Sequence, residues 1–379
     1  MRIAIDVRAL TKQPTGTGYY LKYLLDEFAQ IEDEHQYYLC SSRPFVYTAP
    51  NNEARFIPII QRGLPGNLWL QFQLPRLIKH HQIDLFHSPF GVIPFRIPCA
   101  TVNTVHDLAF HFYPQLTDSK NRFLLPRLVP KSMELATAII VDSAAIKQDL
   151  MRIYKVPERK ITVIHLAPSS QYHPMPRDAA QKYLADSYHI DYPFILFVGT
   201  LEPRKNIAGL IQAYHQLPGE VQNQYKLVLV GKKGWQYQSL FNLVTKLNLE
   251  NHVVFTDYIP ESDLVYFYNA AAVFVYPSLY EGFGLPVIDA LACGTPVVTS
   301  DTSSMPELVS YAGILTAPED SKRIASAMSR ILTDRDLANH LAEKAIIRSK
   351  LFSWADTARK TLETFTAAIR KYTVQQYQK

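Results

Sequence analysis

Cysteine is scarce in this sequence. Cys40, Cys99 and Cys293 are the only three, and they stand far apart. Their spacing offers neither a metal-ligand cluster nor a disulfide framework, and it fits a reducing compartment. No apolar run approaches the ~20 residues needed to span a bilayer. The opening M-R-I-A-I-D-V reads as a strand, not a signal peptide. The expected compartment is therefore the cytoplasm. A net charge of +5 is too small an excess to call for nucleic acid as a partner. No internal repeat and no low-complexity tract is found. Acidic residues are absent from Arg55 to Gln82 and again from Lys120 to Met133. Arg55, Arg62, Arg76 and Lys79 lie there among Trp69, Leu70, Phe72 and Leu77, and Lys120, Arg122, Arg127 and Lys131 among Phe123, Leu124 and Leu125. Each stretch reads first as an amphipathic helix covering a sheet. The sharper reading is a basic apolar face resting on an anionic membrane, at the inner side of a bilayer.

What is present supports two cores. At 379 residues two domains are the natural expectation, and 47% hydrophobic content supplies the material. Strands are expected at Arg2–Val7, Gln36–Cys40, Arg55–Ile60, Leu85–His87, Ala100–Val105, Ala138–Val141 and Thr162–His165, with helical stretches between them. A proline-rich segment from Ala167 to Arg177 interrupts the series. It resumes at Phe194–Val198, Lys226–Val230, Val253–Phe255, Val273–Tyr276, Pro296–Thr299 and Gly313–Leu315. Such alternation predicts two doubly wound α/β domains with parallel sheets. The expected division is an N-terminal domain over 1–167, a linker and connecting helix over 168–192, a C-terminal domain over 193–352 and a last helix from 353 to 379. Ligands of such sheets bind past the carboxyl ends of strands, so the loops there are the candidates.

The first of these loops is Q-P-T-G-T-G-Y-Y, where Gly16 and Gly18 let the backbone approach a ligand before a helix starting near Tyr19. It makes a poor dinucleotide fingerprint, because Leu21 stands where the third glycine belongs. The second, T-V-N-T-V-H-D-L, places His106 directly after a strand, within reach of a substrate hydroxyl. In F-V-G-T-L-E-P-R-K-N-I, Gly199 ends a strand and Arg204 and Lys205 precede a helix. That pair suits a diphosphate, the arginine as a fork and the lysine as a point charge. V-L-V-G-K-K-G-W, with Lys232, Lys233 and Trp235, and the loop carrying Tyr258 are weaker signals, Tyr258 being a candidate to lie against a nucleobase. The richest segment is Y-E-G-F-G-L-P-V-I-D-A-L-A-C-G-T-P-V-V-T-S-D from Tyr280 to Asp301. Glu281 offers a carboxylate for sugar hydroxyls, and the N–H groups of Phe283, Gly284 and Leu285 stand ready for a phosphate where a helix opens on Pro286. Asp289 is expected in the first helical turn, where a carboxylate also complements the helix dipole.

These motifs together resemble the retaining family-4 glycosyltransferases of GT-B fold. Glu281 and Asp289, eight positions apart, resemble that family's E-x7-E segment. G-T-L-E-P-R-K-N resembles its diphosphate-binding stretch and T-V-H-D-L its donor-facing histidine, while V-D-S-A-A-I-K-Q-D-L and F-S-W-A-D-T-A also look familial. One departure stands out: the second acid is an aspartate. The resemblance implies two Rossmann-like domains facing across a cleft, with the last helix crossing back to the N-terminal one. It implies a nucleotide-diphosphate sugar as donor, leaning to UDP-glucose over GDP-mannose, and a glycan or lipid-linked saccharide as acceptor. Arg204 and Lys205 would take the diphosphate, Glu281 the sugar hydroxyls, Asp289 the ribose and His106 the transferred sugar. No cofactor and no metal is expected. The sole D-x-D, Asp334-Arg335-Asp336, reads as a helix cap. Two other readings compete, a sugar-nucleotide epimerase of the same fold and a non-catalytic nucleotide-sugar sensor.

Overall fold

The computed structural model describes residues 1–11, 16–116, 119–234 and 237–377, leaving aside the side chains of 119–121. The described residues form two compact units: Met1–Leu166 with Ser353–Lys379, and Ala167–Phe352. The stretch 168–192 thus lies with the second unit, where its helix Arg177–Tyr188 packs on the helix Glu261–Ala270.

In the first unit seven strands, β1 (Arg2–Asp6), β2 (Gln36–Ser41), β3 (Phe56–Ile60), β4 (Leu85–Ser88), β5 (Ala100–Val105), β6 (Ala138–Val141) and β7 (Ile161–Val163), form one sheet in the order β3-β2-β1-β4-β5-β6-β7. Every neighbouring pair is parallel. A parallel sheet is covered on both faces, so its strands are apolar or polar-satisfied throughout, and all six residues of β5 are buried. One cover is the helix Gly16–Gln30, which buries Tyr20, Leu21, Leu24, Leu25 and Phe28 at helical spacing. It begins at Gly16, not near Tyr19, and the Gln13–Thr15 part of the first glycine loop lies outside the described residues. Another cover is the last helix, Trp354–Tyr377, which packs on Gly16–Gln30 and β5. Its Thr357 hydroxyl donates to the His165 carbonyl at 2.7 Å.

The first acid-free stretch holds β3 and then helical turns from Gly66 to His80, with a π turn at Trp69–Gln73. Pro75 has no N–H to give the carbonyl four residues back, and the ladder loosens just ahead of it. The second folds as the helix Ser119–Leu135.

The second unit repeats the plan with β8 (Phe194–Val198), β9 (Lys226–Val230), β10 (Val253–Phe255), β11 (Val273–Tyr276), β12 (Val297–Ser300) and β13 (Gly313–Thr316), in the order β10-β9-β8-β11-β12-β13. All of its pairs are parallel too. Each sheet reverses direction once, between β1 and β4 and between β8 and β11. Those reversals are the crevices where α/β sheets bind ligands. Asp334 caps the helix Arg335–Ser349, accepting the Leu337 N–H at 3.0 Å.

Candidate functional site

Strands β8 and β11 are paired, and the loops after both meet at the reversal of the second sheet. After β8 a 3-10 turn, Pro203–Lys205, carries Arg204 and Lys205, and after β11 come Ser278 and Glu281. The Leu279 N–H donates to the Arg204 carbonyl at 2.9 Å, tying the loops together. Close approach of β8 and β9 here demands glycine, since a Cβ on Gly231 would lie 1.8 Å from the Gly199 carbonyl oxygen.

Around Glu281 the loops build a charged cluster. The Lys205 Nζ donates to Glu281 Oε1 and to the Tyr276 hydroxyl, each at 2.6 Å. Ser278 Oγ donates to the same carboxylate oxygen at 2.6 Å, and the Tyr276 hydroxyl donates to it at 3.2 Å. Arg204 Nη1 lies 3.0 Å from Glu281 Oε2 and donates to the Tyr280 carbonyl at 2.7 Å, while Nη2 donates to Glu202 Oε1 at 2.8 Å. The backbone of Glu281 is held as well. Its N–H donates to Ser303 Oγ at 3.0 Å, and Ser304 Oγ donates to its carbonyl at 3.0 Å and to that of Phe283 at 2.8 Å.

Glu281 and Lys205 are only 7% and 9% exposed, so their charges interact with little solvent screening. Burial alone would push the Glu281 carboxyl up, but Arg204 and Lys205, with the hydrogen bonds from Lys205 and Ser278, outweigh it and hold it at about 2. Lys205 moves down as well, which in its case disfavours the charged form. Burial and the neighbouring Arg204 outweigh Glu281 and lower its pKa. The cluster is thus a firm carboxylate beside two crowded cations.

Gly284 caps the helix Leu285–Ala292 at φ +109°, with no side-chain hydrogen bond to the cap. The first N–H groups of this helix lack intrahelical acceptors. Phe283 sets its ring edge-on to Phe352, with centroids 5.9 Å apart. The helix starts one residue earlier than expected, with Pro286 second. That moves Asp289 out of the first turn, which contains no acidic residue. Burial, with Glu261 nearby, raises the Asp289 carboxyl well above its ordinary range despite a backbone hydrogen bond at Ser169. Asp289 is not among the partners of Arg204, Lys205 and Glu281 described above. Tyr258 is exposed, with the Lys232 ammonium 4.5 Å over its ring, and Lys233 pairs with Asp257 at 3.0 Å. Trp235 lies outside the described residues.

Three expected site residues lie in the first unit. Gly16 opens the first helix and is exposed, and Gly18 is buried within it. His106 follows β5, and its Nδ1 meets Asp142 Oδ2 at 2.7 Å. Burial would lower the imidazole pKa, but Asp142, with a smaller push from Asp107, raises it overall. Sequence reasoning did not single out Asp142, Tyr276, Ser278 or Ser303. Asp142 and Tyr276 stand at strand carboxyl ends, which was the available signal.

The family model described as "Glycosyl transferases group 1" matches residues 186–348, and "Glycosyltransferase Family 4" matches residues 14–167. The O-antigen chain mannosyltransferase B of Escherichia coli is 34% identical over 96% of this chain and 99% of its own. A solved sucrose-phosphate synthase from Thermosynechococcus elongatus superposes with a TM-score of 0.79 at 23% identity, covering 97% of this chain and 98% of that one. Anabaena HepE, solved with UDP-glucose, gives 0.76 at 21% identity, covering 97% and 100%. The two structures speak for the fold, two parallel-sheet Rossmann-like domains of GT-B type. With both halves matched, and a relative this similar over its whole length, the chain belongs to the group 1 glycosyl transferases of glycosyltransferase family 4.

Proposed function

We propose that the protein is a retaining mannosyltransferase that moves mannose from GDP-mannose to a lipid-linked saccharide in polysaccharide synthesis. The observation that carries this reading is the 34% identity, end to end, with a mannosyltransferase of O-antigen chains. The lean toward UDP-glucose has weaker support, since the neighbour solved with UDP-glucose is 21% identical.

In this reading the diphosphate of the donor lies against Arg204, Lys205 and the N-terminus of the helix Leu285–Ala292. When the bond from the sugar C1 to the phosphate oxygen breaks, negative charge grows on the departing diphosphate. Fixed cations and helix N–H groups then stabilise the transition state more than the ground state. Arg204 and Lys205 supply the positive charge, so the reading invokes no metal and no cofactor. Glu281 exchanges part of its cluster for the sugar hydroxyls, Gly199 and Gly284 allow close backbone approach, and Tyr258 and Asp289 serve the base and ribose. In the first unit Gly16 and Gly18 border the acceptor and the His106 Nε2 takes a sugar hydroxyl.

A peripheral membrane contact is part of the proposal. The segment around Ile93 joins the two acid-free helical stretches. Gln71 donates to the Ile93 carbonyl at 3.0 Å and accepts the Phe95 N–H at 2.9 Å, and the Ile93 N–H donates to Ser132 Oγ at 3.2 Å. Phe72, Phe95 and Phe123 are exposed on these three segments, along with Arg76, Arg96 and Arg127. Aromatic rings ringed by arginines suit an anionic lipid surface that carries the acceptor. Among the described residues no helix is long and apolar enough to cross a membrane.

The test is turnover of the full chain with GDP-mannose and with UDP-glucose, against a panel of lipid-tailed mannosides and glucosides. Release of GDP with transfer of mannose, cut at least about a hundredfold in Glu281→Gln, is expected. UDP release with no GDP release overturns the mannose assignment. An epimeric sugar nucleotide, with neither diphosphate released, overturns transfer.

A further inference from the structure

In the sheet of the first unit, Val105 of β5 faces Val141 of β6 in register. The next residues along the two strands are His106 and Asp142, which therefore stand side by side at the carboxyl edge. Asp142 is fixed from both sides. It directly follows the strand β6, and the residue after it, Ser143, caps the helix Ala144–Tyr154 by accepting the Ile146 N–H at 3.3 Å. We propose that Asp142 is the positioning residue that decides which ring nitrogen of His106 meets the substrate. This rests on the reading of His106 as a sugar-facing residue.

A carboxylate only accepts hydrogen bonds, so the 2.7 Å contact places a proton on Nδ1. In the neutral ring Nε2 is then an acceptor, suited to a sugar hydroxyl. In the protonated ring it becomes a charged donor. The ring plane is held too. Tyr20 stands edge-on to His106 with centroids 4.6 Å apart, and its hydroxyl lies 3.4 Å from Thr104 Oγ1, which meets His87 Nε2 at 2.8 Å. Two atoms of the pair are buried without a hydrogen-bond partner, His106 Nε2 and Asp142 Oδ1. Unpartnered buried polar atoms cost stability, and a ligand hydroxyl at Nε2 and a bridging water at Oδ1 would satisfy them. Asp142 is 2% exposed, so its influence passes through His106 and not through a substrate contact of its own.

The groups facing the pair are few. Asp107 lies beside His106 on its own strand end, Tyr20 and His87 pack near it, and His165 acts on Asp142. Burial depresses His87 to about 3, so it stays neutral, and Tyr20 is pushed above its ordinary range and stays protonated. A change in the titration of His106 on altering Asp142 thus reads Asp142 itself.

Two measurements on the full chain test the proposal. The first is nitrogen NMR of the histidine-labelled protein, with His106→Gln to assign the ring. Nδ1 is expected to carry the proton in the wild type, and the His106 pKa is expected to fall in Asp142→Asn. A wild-type ring protonated on Nε2 alone overturns the proposal, and this arm needs no donor. The second is a mutant cycle on transfer. Asp142→Asn is expected to lower kcat about tenfold or more with its pH profile shifted, and to add no further loss in His106→Ala. An equal loss in both backgrounds overturns it, since a merely structural role would act with or without His106. Wild-type transfer by His106→Ala overturns the role of His106 and this inference with it, whereas a wrong donor assignment shows itself in the wild type alone.

Discussion

Glu281, Arg204 and Lys205 cannot be altered one at a time without consequence. Removing the carboxylate leaves the buried Lys205 and the partly buried Arg204 facing each other, and breaking a buried pair in this way costs about 3–5 kcal/mol. Glu281→Ala is therefore expected to lower the free energy of urea unfolding by that order, while Glu281→Gln, which keeps the shape and the bonds from Ser278 and Tyr276, loses less. An Ala variant as stable as wild type would contradict the cluster. Because the folded carboxyl sits at about 2 against an ordinary 4.5, its contribution is full above 4.5 and is lost as pH falls toward 2. The shift corresponds to roughly 3 kcal/mol at most, part of which the lowered pKa of Lys205 offsets. The charged residues were each legible in the sequence, because they follow strands and flank glycines. Their mutual pairing was not, since it joins loops more than seventy residues apart. Asp142 was harder still. Its importance comes from register with β5, which no local pattern displays.

Secondary elements were read where apolar runs were strong. All thirteen strands appear within two residues of the expected bounds, since buried parallel strands are short apolar blocks between turn signals. Of the helix Arg335–Ser349 only the cap at Asp334 was read, not its extent. The helix buries only Leu341, Ala345 and Ser349, a stripe too narrow and too small-sided to stand out. The stretch from Gly66 to His80 shows the reverse case, an outward face with its own pattern. Trp69, Leu70, Leu74 and Ile78 point into the core, whereas Phe72, 60% exposed, and Arg76 point outward. On the helix Ser119–Leu135, Phe123 is 61% exposed with the Arg127 guanidinium 4.0 Å over its ring. Such an i,i+4 pair supports its own helix and also presents a ring and a cation together to the outside. Cosedimentation with vesicles of anionic lipid at low salt should retain the wild type, release it as salt rises, and retain Phe72→Ser with Phe123→Ser at least several-fold less. Equal retention on uncharged vesicles would show that the arginines play no part.

At the scale of the whole chain, the first unit is made of two segments that the second unit separates in sequence. In sequence, all seven strands of the first unit therefore precede one of the sheet's covers, the helix Trp354–Tyr377. That helix sets Trp354 5.2 Å from Tyr23 and Phe365 6.2 Å from Phe28, and Phe365 and Ala358 are fully buried. Burying one large apolar side chain stabilises by about 1.5–3 kcal/mol, so the set is worth roughly 5 kcal/mol or more, comparable to the whole stability of many domains. A chain ending at Phe352 should accordingly lose the first unit and keep the second, whose residues are continuous. Hydrogen exchange would show it: amides of β1 and β5 exchanging at near-unfolded rates, those of β8 and β11 still protected. Because the cluster of Glu281, Arg204 and Lys205 lies wholly in the second unit, its carboxylate should also keep its depressed titration in the truncated chain. Protected β1 and β5 amides would mean that the sheet closes its own core and that the last helix is an addition to it. Loss of protection in both units would mean that the second unit depends on the first, against its continuous and self-contained core.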